Sequence, residues 1–306
     1  MTYFAFDRPL PSAAVEAIET IAELKDAHSG KPLYVFAMID GAFDEFFFER
    51  TFPSALLRIS LYEGGELSGF GRSAPFLISA PEDEVQLHEW MTRLLMACDW
   101  RPMLSVIASA IPSAEFVKHF SRFLIGRGND NLDWPIRWGD TRVLPELLSI
   151  LPVANVCEIL EPVYLWLTTS RQGSISKWAG AGKCPNQFFE KGKLFLDDKT
   201  FGRLIDASEP DSVISQIEQT EPELLKYRKP SECYMLVKRH LEIADKIGLR
   251  QAGARKHFAS MALYLRDNFL ETDEFQAVLA KVKGGRDYFS EVRALPEHFW
   301  DGLGRI

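Results

Sequence analysis

The sequence is poor in the groups that most often mark a catalytic or metal centre. It carries four cysteines in 306 residues, and Cys98, Cys157, Cys184 and Cys233 stand too far apart to form a C-x-x-C pair. That spacing argues against a zinc knuckle or a redox dithiol and leaves free thiols of a reducing compartment as the expectation. His28, His88, His119, His240, His257 and His298 include no His-x-x-x-His pair, so no metal site is expected. No stretch approaches the roughly 18–20 uninterrupted apolar residues of a membrane span. The start has neither a basic region nor a long apolar run, so no leader and a cytoplasmic location are expected. Positive charge is in deficit: 35 basic against 43 acidic side chains, a net −8. Such a surface repels phosphate backbones, and no nucleic-acid partner is expected.

Motifs for catalysis are missing as well. Gly180, Gly182 and Lys183 imitate the end of a phosphate loop, but Lys177 stands at its first glycine position and Cys184 follows the lysine where Ser or Thr is needed. Gly69 and Gly71 lack the third glycine of a dinucleotide fingerprint. There is no Gly-x-Ser-x-Gly elbow. Asp44, Glu45 and Glu49 have no evident partner base and read as a solvated helix face. The expectation is a protein with no catalytic residues and no cofactor.

Present in quantity are apolar residues, 46% of the chain, with 22 phenylalanines. These can fill cores or line a groove for an apolar partner. Charge is uneven: residues 1–170 sum to −10 and residues 171–306 to +2. Residues 12–27 predict a helix stopped by Gly30, and the unbroken run from Leu33 to Ile39 predicts a strand covered on both faces. Strand-like and helix-like segments then alternate: a helix over 42–50, strands at 55–61 and 76–78, a helix over 83–97, a strand at 103–108. A helix capped by Ser113, strands at 123–125 and 132–138, a helix capped by Asp140 and a last strand at 163–168 complete the series. This predicts an α/β lobe over residues 1–170, a mixed sheet with flanking helices.

Residues 171–200 read as a basic, aromatic linker or hairpin, in which Trp178, Phe188, Phe189 and Phe195 are candidates for binding a partner. Residues 201–306 read as an all-α lobe. Thr220 to Glu223 resembles a capping-box start, and Cys233, Leu236, Val237, His240, Leu241, Ala244 and Ile247 form one apolar stripe stopped by Gly248. His240 on that stripe reads as a packed core histidine. Phe258 to Phe269 and Phe275 to Val282 repeat the helical spacing, giving a small bundle.

One constellation stands out. Arg137, Asp140 and Arg142 join a strand end to a helix start, where Asp140 is placed to cap the helix and either arginine can reach a carboxylate. With Asp40 they read as a corner clamp.

The order of the segments at 35–42, 61–64, 71–77 and 137–144, followed by Leu147, Leu148, Leu151 and Pro152, resembles the effector chaperones, or adaptors, of bacterial type VI secretion systems. Gly139 and Thr141 stand where that family carries an aromatic and a proline, and Ala74 stands in its Gly-Pro corner. The resemblance implies a non-enzymatic cytoplasmic chaperone with two partners. One is a secreted effector protein, gripped through an apolar or helical segment. The other is the valine-glycine repeat spike protein (VgrG) on which the effector is loaded. A hydrolase or transferase with an unrecognised site, or an unrelated interaction protein, is the alternative.

Overall fold

The structure, a computed structural model, describes residues 3–52, 57–185, 192–265 and 267–302. The chain forms two compact units, Phe6–Ala207, and Ser208–Ile306 together with Met1–Ala5.

The first unit contains α1 (Ala13–Ala27), β1 (Tyr34–Asp40), α2 (Phe47–Thr51), β2 (Ile59–Ser60), β3 (Pro75–Ser79), α3 (Glu84–Cys98), β4 (Leu104–Ser109) and α4 (Ser113–Phe120). It continues with β5 (Ile125–Arg127), β6 (Asp133–Pro135), α5 (Val143–Ile150), α6 (Val153–Ile159), β7 (Val163–Thr169), β8 (Ile175–Ala179) and β9 (Leu194–Phe195). Helix α7 (Asp198–Thr220) begins here, and the boundary between the units falls within it. The main sheet has the order β2-β3-β1-β4-β7-β8 and is antiparallel throughout. A second sheet, β6-β5-β9, combines an antiparallel and a parallel pair.

β1 is the apolar run seen in the sequence, and Phe36 to Ile39 are buried because helices cover both faces of the sheet. Helices α1 and α3 pack together on one face, over Val106 and Leu167. Helix α4 lies on the other, where Phe116 meets Phe36 and Trp166 edge-on and stacks on Phe120. Each such ring contributes roughly 1.5–3 kcal/mol by leaving water. Trp138 joins this cluster against Phe120, fully buried, with its indole N–H donating to the Phe123 carbonyl at 2.7 Å.

Several boundaries differ from the sequence reading. Residues 41–43 form a 3-10 turn and α2 begins only at Phe47. Pro112, not Ser113, occupies the cap of α4. β7 is not the last strand, because β8 pairs with it from Ile175 to Ala179 and forms the sheet edge. Around Thr220 one helix ends rather than starts: α7 runs to Thr220, a 3-10 turn (Pro222–Leu225) follows, and the next helix starts at Pro230.

The second unit holds α8 (Pro230–Lys246), α9 (Ala252–Tyr264), α10 (Asp273–Lys283), α11 (Tyr288–Arg293) and α12 (Glu297–Gly302). The stripe on α8 packs inward, with Cys233, Val237, Leu241 and Ala244 buried. His240 is buried with it, stacked on Phe269. Arg255 of α9 is buried and held by Glu209 at 2.6 Å and Asp245 at 2.7 Å, which ties the middle of α7 and the end of α8 to α9. Among the described residues no helix is long and apolar enough to cross a membrane.

Candidate functional site

Asp40 ends β1, and the 3-10 turn after it brings the chain back toward the segment before β3. Gly41 makes that approach possible: a Cβ there would lie 2.0 Å from the Arg72 carbonyl oxygen. The Asp40 carboxylate accepts from the Ala42 N–H at 3.0 Å and from Arg137 Nη2 at 2.9 Å, with 2% of the residue exposed. Asp140, equally buried, accepts from Arg142 Nε at 3.0 Å and Nη2 at 2.8 Å, and lies 3.5 Å from Arg137 Nη1. So Asp40, Arg137, Asp140 and Arg142 form one cluster, two carboxylates inside and two guanidinium groups closing over them. Asp140 is not the helix cap expected for α5. Its side chain accepts from the Arg142 N–H at 3.0 Å, a turn one step ahead of the helix, and Arg142 occupies the cap position. Gly139 lies against this corner, where a Cβ would sit 2.8 Å from the Asp40 Cβ. A larger side chain at this place would collide with Asp40.

Burial raises the Asp40 carboxyl above its ordinary value, while Arg137 and the Ala42 N–H pull it back. Tyr62 is buried nearby, and desolvation together with the Asp40 charge pushes its phenol up to about 12.

Aromatics connect this cluster to the surface. The Arg137 and Arg142 guanidinium carbons lie 4.8 and 5.4 Å from the centre of the Phe43 ring, and Arg137 remains 41% exposed. Asp44, next in sequence, pairs with Arg50 and Arg101. Phe46 is 55% exposed and carries the Arg72 guanidinium 5.1 Å above it. Arg72 also approaches Glu49 at 3.6 Å, and Ser73 donates to Glu45 at 2.6 Å. Phe70 is 48% exposed and meets Tyr62 edge-on at 5.7 Å. Phe43, Phe46, Phe70, Arg72 and Arg137 thus form a face of rings and guanidinium groups around the end of β1. Exposed aromatics and arginines of this kind are the side chains enriched in protein interfaces.

The sequence reading missed Phe43, Phe46, Phe70 and Arg72. Phe46, Phe47 and Phe48 are identical side chains in a row, and only the helix phase turns Phe47 and Phe48 inward and leaves Phe46 outside. The acidic cluster Asp44, Glu45 and Glu49 belongs to this face, engaged by arginines and Ser73. Of the four aromatics singled out in 171–200, Trp178 is half-buried on β8 opposite Trp166. Phe195 is 59% exposed on β9 opposite Arg127. They stand in different sheets. Phe188 and Phe189 lie outside the described residues. Among the described residues no group of three His, Cys, Asp or Glu side chains is placed to hold a metal ion.

No curated protein and no solved structure matches the chain. Residues 35–158, from β1 through most of α6, match the model of a family described as a domain of unknown function, DUF4123, and that segment contains the whole buried charge cluster and the face around it.

Proposed function

We propose that the chain is a non-catalytic adaptor. It binds a specific effector protein of a bacterial type VI secretion system in the cytoplasm and helps load it onto the spike protein. The family matched over residues 35–158 is associated with such adaptors, and the order of sequence segments points to the same class. The observation that carries the reading is the composition of the face at the end of β1. Phe46, just before α2, and Phe70, in the 3-10 turn of residues 68–73, are exposed rings that contact Arg72 and Tyr62, within the matched segment. Such anchors give affinity at small ordering cost, because their positions are fixed before the partner arrives.

The test is co-expression with the toxin encoded beside a spike gene and this chain. The wild type should co-purify with the toxin, and Phe46→Ala with Phe70→Ala should weaken binding at least tenfold at an unchanged thermal midpoint. Unaltered binding by the double variant would remove this face from the interface. Absence of any complex between the wild type and the toxin would remove the adaptor reading.

A further inference from the structure

The helical unit holds a cavity of about 410 Å³, lined by Glu221 and Leu224 of the turn after α7, by residues of α9, by Phe289 of α11 and by Trp300 of α12. That volume lies in the range of built binding sites. The α9 residues facing it are Gly253, Lys256, His257, Ser260, Met261 and Tyr264. Their spacing, i, +3, +4, +7, +8 and +11, is that of a helix seam: the stripe one helix presents to another along three turns. The rest of α9 is already engaged, with Phe258 and Ala262 in one core and Ala259 and Leu263 in another. One face of α9 therefore carries a packing seam that α11 covers in part, through Tyr288 and Phe289 on Met261 and His257, and that otherwise lines the cavity.

Three further features describe what fits there. Ser260 is 8% exposed, and among the described residues its hydroxyl has no hydrogen-bond partner, although buried hydroxyls almost always have one. Lys256 donates to the Thr220 hydroxyl at 2.9 Å, and among the described residues no carboxylate lies within 4.0 Å of it. Glu221 likewise has no cationic side chain within that distance among the described residues. The rim thus offers one charge of each sign outside any close ion pair among the described residues, with Glu221 near enough to His257 to offset part of the lowering that burial imposes on its pKa, beside an apolar floor of Leu224, Met261, Phe289 and Trp300. His257 does not add a charge. Its Nδ1 is 3.0 Å from the Tyr288 hydroxyl, and burial holds its pKa below the ordinary value. Gly253 opens one end of the groove, since a Cβ there would meet nothing within 4 Å.

We infer that this groove on α9 receives an amphipathic helix of a partner protein. The helix lays an apolar stripe along the seam, offers a polar group to Ser260, and carries an acidic side chain opposite Lys256 and a basic one opposite Glu221. That the helix belongs to the adaptor's cargo rests on the proposed function; the preference of the groove for a helix does not.

The probe is a fluorescent peptide of about five helical turns. It has leucines at i, i+3, i+4 and i+7 flanked by glutamates and lysines, and is compared with a scrambled peptide of the same composition. The full chain should bind the striped peptide at least tenfold more tightly than the scrambled one. Gly253→Trp, which fills the groove from its open end, should reduce binding about tenfold. So should Trp300→Ala, which removes an exposed wall and guards against misfolding of the first variant. Met96→Trp, on an exposed position of α3, should bind as the wild type. Equal binding of the two peptides, or wild-type binding by Gly253→Trp and Trp300→Ala, would overturn the inference. So would native mass spectrometry showing a small molecule displaced by Gly253→Trp with peptide binding unchanged. If the peptide binds as expected while no toxin co-purifies, the adaptor reading fails and the groove stands.

Discussion

Arg137 links the buried Asp40 and Asp140 carboxylates to solvent, so its removal strands charge inside the fold. Arg137→Ala should destabilise the α/β unit by about 1–3 kcal/mol, the cost of an unsatisfied buried acceptor. The pH dependence has a definite sign. Asp40 has its folded-state pKa above the unfolded one, so its contribution is fully present below the ordinary carboxylate range and is lost as pH rises through the folded value. Removing Arg137 raises that value further. The gap in thermal midpoint between Arg137→Ala and wild type should therefore widen from pH 4 to pH 7; a constant gap would show that Asp40 is not the group left stranded. His119 acts in the opposite direction. Desolvation lowers its pKa to about 4, so its contribution is present above the ordinary value of 6.5 and is lost as pH falls through 4. Replacing it by a non-titrating side chain, His119→Met, should flatten the fall of the thermal midpoint between pH 6.5 and 4. An unchanged slope would assign that fall to other groups.

At the scale of elements, the close approach at Gly41 fixes the turn after β1 against the Arg72 carbonyl, and the whole aromatic face depends on that turn. Gly41→Ala should cost about 1–3 kcal/mol, as overpacking does, and lower the affinity for a partner by displacing Phe43 and Phe46. Normal stability with normal binding, by thermal melt and pull-down, would show that the turn yields without consequence. Much of this architecture is legible in the sequence. An unbroken apolar run gives β1, a strand-like run at 103–108 gives β4, the 3.6-residue spacing gives α3, and Gly248 ends the α8 stripe. β8 is legible only in part: residues 171–200 read as a linker or hairpin, and the short run from Ile175 to Ala179 becomes a strand through its pairing with β7. The corner residues could be named because arginines and carboxylates at a strand–helix junction have few neutral explanations. The exposed rings could not, because a phenylalanine carries no mark of which side of a short helix it will occupy. The α9 seam hides for the same reason: its spacing looks like any core stripe, and only the structure shows that it lines a cavity.

At the scale of the molecule, the two units differ in how the chain composes them. Residues 6–207 are contiguous, with a core that includes Trp138 and Trp166. Expressed alone they should unfold cooperatively and keep the Phe46 and Phe70 face. A broad, non-cooperative melt of this fragment would show that it depends on the rest of the chain. The helical unit is not contiguous. Ala5 packs fully buried beside Val213, Ile217 and Val237, and the Tyr3 N–H donates to Glu218 at 2.7 Å. During synthesis, then, the α/β unit has all its parts as soon as residue 207 has emerged, while Tyr3 and Ala5 find their place only after residues 213–237 have followed. The aromatic face at the end of β1 is therefore complete before the helical unit can close around Ala5.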